Sequence, residues 1–300
     1  MAKYKIITDS CSELDKEMRA KLDVDYYPMG LIVDTHDTIA DLDWGEYSIE
    51  EFYQLLKDHH HVKTTLITVE TVVKVSEKYL KEGYDILYLG CSTALTASIN
   101  SYNLAKEELL EKYPNRRMES ASTFLASCGL GMLVEDIAKA RDQGASIDEA
   151  IKLVEERRFF YNQFCTVDTL TYLKEAGRIK AGKAFFGNLM GVKPIFISDR
   201  KGNNLVTTKA KGTKGSLETI ISCIKDAYEG DKDNRIFIVH ADCPDKVEYL
   251  KQRFTEELGT KNFTVCTMGP IVGTTCGPAT IAAFCKGKEV TRYEGDGLDK

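Results

Sequence analysis

Residues 85–109 constrain this chain more than any other stretch. Asp85-Ile86-Leu87-Tyr88-Leu89-Gly90 holds a short apolar run of the kind a strand buried on both faces needs. It is followed at once by Cys91-Ser92-Thr93-Ala94-Leu95-Thr96-Ala97-Ser98, and then by a helical pattern through Leu109. Ser and Thr are favoured helix caps, and the first turn of a helix leaves backbone N–H groups unpaired. A strand-to-helix junction carrying several hydroxyls can hold an oxyanion such as a carboxylate or phosphate. The same run also reads as an ordinary Ser/Thr cap with no ligand.

The pattern recurs. Strands are expected at Tyr4–Thr8, Asp85–Leu89 and Arg116–Glu119, with Asp25–Val33 extended. Helices are expected over Glu13–Lys21 (capped near Ser12), Ser48–Lys57, Thr68–Lys81, Ala94–Lys112, Leu125–Gln143 and Ser146–Arg158. Strands separated by helices of this length predict βαβ units and a parallel sheet. The second half differs. Asn162–Val167, Lys193–Ser198, Leu205–Ala210, Arg235–His240, Asn262–Met268 and Pro278–Cys285 read as strands, the second and third joined as a hairpin through Lys201-Gly202-Asn203-Asn204. Helices are expected at Thr213–Tyr228 and Pro244–Leu258. The predicted fold class is a two-domain α/β protein. Residues 1–160 form a mostly parallel α/β/α sandwich, and residues 161–300 form a mixed, more antiparallel α+β domain.

Composition removes several function classes. A formal charge of −6 argues against a general nucleic-acid surface. No apolar stretch approaches the about 20 residues that span a bilayer, and the N-terminus enters a strand without a signal-peptide core. The nine cysteines are odd in number and form no Cys-x-x-Cys pair, so they read as reduced thiols of a cytoplasmic protein, with no zinc site. His59-His60-His61 reads as a polar loop after a helix rather than a metal tract. Neither a Walker phosphate loop nor a Gly-x-Ser-x-Gly elbow occurs. The two glycines of Ser127-Cys128-Gly129-Leu130-Gly131 read as close helix packing.

Further segments sit at expected strand ends, where open α/β sheets keep their ligands. These are Thr8-Asp9-Ser10, Lys63-Thr64-Thr65, Gly177-Arg178-Ile179 and the segment from Gly269 to Pro278, whose Gly and Pro content reads as a shaped loop. Taken in order with Ser92–Ser98, Glu119-Ser120, Thr169–Ile179 and Gly187–Ile195, they make the whole chain resemble the DegV family of bacterial fatty-acid-binding proteins. The resemblance implies two α/β domains with one long-chain acyl group, C16–C18, held between them and no other cofactor. It implies that the carboxylate meets Thr64, Ser92 and Thr93, with Thr275 at a further head-group position. Asp9, Ser10, Thr65, Thr96, Arg178, Gly273 and Thr274 are then expected near the ligand. Phe185, Phe186 and Leu189 are candidates for the tunnel lining or for plain core packing.

In some members of the family the bound acid is presented to a separate fatty-acid kinase. The chain departs from the family pattern at three places. The family's Thr-Ser-Gln-Pro-Ser reads Thr64-Thr65-Leu66-Ile67-Thr68, its usual His is Thr275, and a customary Arg after the hairpin is Lys211. Loss of the His leaves the head group to neutral donors and speaks against the kinase partnership. Two other function classes remain open at this point. One is a serine hydrolase or acyltransferase using Ser92 with His240 or Asp9, although no His stands in a matching motif. The other is a protein-interaction module with an incidental lipid.

Overall fold

The computed structural model describes residues 3–180, 191–229 and 235–292. The chain divides into two compact units. The first comprises Met1–Glu46, His61–Arg158 and Gly269–Ile271, and the second Tyr47–His60, Phe159–Met268 and Val272–Lys300.

The first unit is built on a four-stranded parallel sheet in the order β2-β1-β6-β7, formed by β1 (Tyr4–Asp9), β2 (Val24–Tyr27), β6 (Asp85–Gly90) and β7 (Met118–Ser122). Every residue of β1 and β6 is buried, as expected for central strands covered on both faces. Tyr27, Tyr88 and Tyr102 pack together with ring centroids 5.0–6.0 Å apart. Each buried phenol keeps a polar partner: Tyr27 pairs with Ser76 Oγ, Tyr88 donates to Asp9, and Tyr102 donates to the Glu119 carbonyl.

Five helices complete this unit: α1 (Lys16–Leu22), α3 (Val69–Lys81), α4 (Ser98–Lys112), α5 (Ser127–Asp142) and α6 (Ile147–Arg157). A second, antiparallel sheet orders β4 (His36–Ala40), β3 (Met29–Val33) and β5 (Val62–Thr65). Lys63-Thr64-Thr65 therefore lies on a strand that pairs with β3 on one side.

The second unit carries a six-stranded sheet in the order β10-β9-β8-β13-β11-β12. Its strands are β8 (Tyr161–Thr166), β9 (Val192–Ser198), β10 (Asn204–Lys211), β11 (Ile236–His240), β12 (Phe263–Thr267) and β13 (Ile281–Lys286). Only the β11–β12 pair is parallel among the pairings described. The β9–β10 hairpin forms as the turn residues predict. Helices α8 (Gly212–Ala227) and α9 (Pro244–Leu258) share a core with the sheet through Ile220, Ile224, Leu250, Phe254, Ile238 and Ile281. The short α7 (Thr171–Ala176) and α2 (Ile49–Lys57) also belong to this unit, α2 opening on the capping box of Ser48 and Glu51.

Several elements differ from the sequence reading, three of them near the candidate site or its segments. Helix α1 starts at Lys16, capped by the Asp15 side chain, rather than near Ser12. Helix α4 starts at Ser98, and its cap position, Ala97, makes no side-chain bond. The hydroxyls from Ser92 to Thr96 thus lie in a turn before the helix, and among them Thr96 Oγ1 accepts the first helical N–H, that of Ser98, at 3.3 Å. The Gly-Pro segment, read as a loop, contains a helix, α10 (Pro270–Cys276), which uses Pro270 at a helix start where its missing N–H costs nothing.

Gly131 shows why α5 can sit where it does. A Cβ there would lie 2.5 Å from the Ser12 carbonyl oxygen, a backbone atom that cannot turn aside. Gly131→Ala should therefore lower stability by about 1–3 kcal/mol through overpacking. Urea unfolding measures this, and an unchanged midpoint would contradict the close approach.

Candidate functional site

The first unit gathers the polar residues at the carboxyl ends of β1 and β6, the edge where open α/β sheets bind ligands. Asp9 closes β1 and is fully buried. Its Oδ1 accepts Cys11 N at 3.0 Å, and its Oδ2 accepts Tyr88 Oη and Cys91 N, each at 2.8 Å. Burial raises its pKa against the pull of those donors. Ser10 is equally committed, donating to the Ala40 carbonyl at 2.7 Å and accepting Met29 N at 2.9 Å. Both residues hold strand ends together, so their place near the expected ligand is structural.

After Cys91 the chain turns on itself. The Ser92 carbonyl accepts Leu95 N and Thr96 N, Ser92 N donates to the Leu125 carbonyl, and Ser92 Oγ accepts Ala94 N at 3.2 Å. Ser92 is buried whereas Thr93 is exposed, with its backbone N–H donated to Ser122 Oγ at 3.3 Å. Thr96 Oγ1 and Ser98 Oγ lie 2.8 Å apart, and Ser98 Oγ accepts Ile67 N at 3.4 Å. Ser98 therefore joins the turn at 92–98 to the segment that leaves β5. Thr64, half-buried, and Thr65, exposed, stand on that strand. The Thr65 hydroxyl overlies Gly30, where a Cβ would approach it to 2.1 Å. Within the hydroxyl run, Ser98 is the residue that opens α4, and no local sequence feature marks it as the link to the segment beyond β5.

The remaining expected residues lie in the second unit. Gly273, Thr274 and Thr275 are on α10. Gly273 is there for packing, since a Cβ would stand 2.7 Å from Tyr53 Oη and 3.1 Å from Phe52 Cε1. Thr274 and Thr275 are half-buried. Arg178 is exposed, and its guanidinium donates to the Ala176 carbonyl at 2.8 Å. Lys211 occupies the cap position of α8. His240 Nδ1 accepts Cys243 N at 3.2 Å, and burial lowers the imidazole's pKa. Phe185, Phe186 and Leu189 lie outside the described residues.

A family model described as "Uncharacterised protein, DegV family" matches residues 3–288. The chain belongs to the DegV family. A DegV domain-containing protein of Clostridium perfringens is 34% identical over 287 residues, covering 96% of this chain and 98% of that one. Among solved structures, a DegV family protein from Thermus thermophilus, described by its fatty acid binding, is 25% identical with a TM-score of 0.85, over 95% of this chain and 100% of its own. A protein from Eubacterium ventriosum described as stearic acid-binding has the same fold, with a TM-score of 0.85 at 24% identity over 95% of this chain and 98% of its own. The fold thus comprises a mostly parallel α/β unit and a mixed, largely antiparallel one, the fold class expected from the sequence. Among the described residues, no helix of this DegV chain is long and apolar enough to cross a membrane.

One acid was not anticipated. Glu13 is buried with φ +53°, accepts Gly269 N at 2.6 Å through Oε2 and Ser127 Oγ at 3.0 Å through Oε1, and burial pushes its pKa up to about 7. An acid flanked by Ser12 and Leu14 carries no sequence signal of such burial. Its folded pKa lies above the unfolded value, so between about pH 4.5 and about pH 7 the folded state binds a proton that the unfolded chain has released. Stability should fall as pH rises through that window, by up to about 3 kcal/mol from this group. Asp9 contributes with the same sign. Glu13→Gln keeps an acceptor for Gly269 N and removes the ionisation. Urea unfolding across this range should show a shallower pH slope in the variant, and identical slopes would refute the assignment.

Proposed function

We propose that this DegV chain binds one long-chain fatty acid non-covalently and acts as an acyl carrier. The observation that carries the reading is the Ser98–Ile67 contact, which joins the Thr64 segment to the Ser92–Thr93 turn at the carboxyl ends of β1 and β6. Likeness over nearly the whole chain to the Thermus thermophilus protein supports the same ligand class. Thr64, Ser92 and Thr93 are the proposed carboxylate partners. Accepting from Ala94 N points the Ser92 hydroxyl proton away from that nitrogen. The assignment of Thr275 rests on the resemblance alone.

Magnitudes favour a carrier whose tail sets affinity. A C16 tail offers roughly 14 methylenes at about 0.8 kcal/mol each, about 11 kcal/mol gross. Association and ordering offset several kcal/mol of this. A hydrogen bond to the charged head contributes about 1.5–3 kcal/mol, enough to orient the acid. C16–C18 acids are the proposed ligands. Nine free cysteines suit a reducing, cytoplasmic setting. Thr275 and Lys211, in place of the family's His and Arg, weigh against presentation to an acyl kinase.

A hydrolytic role for Ser92 draws less support. Asp9, a named assistant, spends its oxygens on two backbone N–H groups and a phenol, and His240 Nδ1 is engaged by Cys243 N. Mass spectrometry of organic extracts from the purified protein should find a stoichiometric C16–C18 acid, and protein free of any lipid that also fails to take one up would end the carrier reading. Thr64→Ala and Ser92→Ala should each weaken acyl binding by about 1–3 kcal/mol in calorimetry. Unchanged affinity in both would move the head-group site elsewhere.

A further inference from the structure

Two thiols meet beneath the Ser92 turn. Cys11 lies two residues past β1 and Cys91 directly past β6, and these strands are parallel neighbours paired from Tyr4–Asp85 to Ile7–Tyr88. One carboxylate holds both backbones, Asp9 Oδ1 taking Cys11 N and Oδ2 taking Cys91 N. Both side chains are buried, at 4% and 5% exposure. The Cys91 thiol is the largest influence on the titration of Cys11, whose Sγ also lies 3.6 Å from Met29 Sδ. Extending the register of β1 and β6 sets Cys91 opposite Ser10, one residue short of Cys11, so the two cysteines stand at adjacent positions on neighbouring segments. The cysteines read from the sequence as reduced thiols, and nothing in the proposed carrier function uses this pair.

We propose that Cys11 and Cys91 form an oxidation site, closing to a reversible disulfide when the protein meets a hydroperoxide. A thiolate of the pair attacks one peroxide oxygen, the O–O bond breaks, and the departing oxygen takes a proton and leaves as water. The resulting sulfenic acid is attacked by the second sulfur, the S–O bond breaks, and a second water leaves. Two thiols are oxidised to one disulfide while hydrogen peroxide is reduced to two waters, and a later dithiol reverses the change. Small, uncharged hydrogen peroxide suits a buried pair better than a bulky disulfide reagent.

The surroundings make the reaction slow at neutral pH. The neighbouring Cys91 thiol, then burial, then the charges of Asp9 and Glu13 hold the Cys11 thiol protonated, and the thiolate is the reactive form. Tyr88, the other titratable group on Asp9, is held neutral by burial and by that same carboxylate. The rate should therefore rise with pH, by up to about tenfold per unit below the thiol pKa. Cys165, Cys243 and Cys276 form a second neighbourhood, in the other unit, where Cys243 Sγ donates to the Thr280 carbonyl. It supplies an internal comparison.

The test treats the folded full chain with hydrogen peroxide, alkylates remaining thiols, and maps non-reduced peptides by tandem mass spectrometry. The expected result is a Cys11–Cys91 link, lost on adding dithiothreitol and formed faster at alkaline pH. In Cys91→Ala the link disappears and Cys11 becomes a sulfenic acid trapped by dimedone. The proposal is overturned if both thiols stay alkylatable after the half-exposed Cys223 has been oxidised, if the link joins other cysteines, or if it forms only in urea. None of these outcomes depends on bound lipid, so the result is distinct from the fate of the carrier reading.

Discussion

The Asp9 carboxylate is the interaction on which the first unit's functional edge depends. A carboxylate taken wholly out of water costs several kcal/mol unless it is bonded on nearly every side. Here the donors come from its own chain two residues on, from the core phenol of Tyr88, and from the first residue after the neighbouring strand. The solution fixes more than the charge. It ties the ends of β1 and β6 and sets the point from which the Ser92 turn departs. Tyr88 can reach Asp9 because Gly90, two residues on and facing the same way, has no side chain; a Cβ there would stand 2.7 Å from the Tyr88 hydroxyl and ring. The Tyr-Leu-Gly-Cys sequence is therefore one device rather than a strand followed by a loop.

Glu13 is the second buried acid of this edge, and it changes the electrostatic picture drawn from the sequence. Thr275, in place of the family's His, brings no group that titrates near neutral pH. The structure supplies such a titration in the first unit instead, through a carboxyl pushed to about pH 7. Its left-handed backbone and its bond to Gly269 N show that the surrounding fold, and not local preference, holds it there. A Cβ on Gly269 would lie 2.8 Å from Glu13 Oε2. The glycine that opens the Gly-Pro segment thus serves a close approach, where the sequence suggested only a shaped loop.

Elements that announce themselves locally were legible. The apolar runs of β1 and β6, the capping boxes at Ser48 and Ser146, and the hairpin from β9 to β10 all follow from period, cap and turn chemistry. The start of α4 was not legible, because a run of hydroxyls satisfies caps and turns alike. Ser92 spends its carbonyl and its Oγ on the turn, and the helix waits until Ser98. Helix α10 was hidden by its own glycines and prolines, although Pro270 begins it and Gly273 lets it lie against Tyr53 and Phe52. The candidate site was legible as a set of segments but not as a set of roles. Nothing in Thr8-Asp9-Ser10 says that Asp9 and Ser10 are consumed by the fold, since that depends on Cys91, Met29 and Ala40, each distant along the chain.

That division of roles separates residues that build the edge from those that face outward from it. Asp9, Ser10 and Ser98 are buried, with donors and acceptors already matched to β3, β4, β6 and the segment beyond β5. Changing any of them leaves a buried partner unpaired, a cost of about 1–3 kcal/mol that falls on the folded state whether or not a ligand is present. Thr93 and Thr64 reach solvent, and water can replace whatever they lose. A hydroxyl in that position adds little to folding. Ser92 stands between the two groups, buried like the first and part of the turn that presents Thr93. The sequence places all six in similar polar runs. Which of them can serve a ligand is decided by which backbone groups the fold has already assigned to the others.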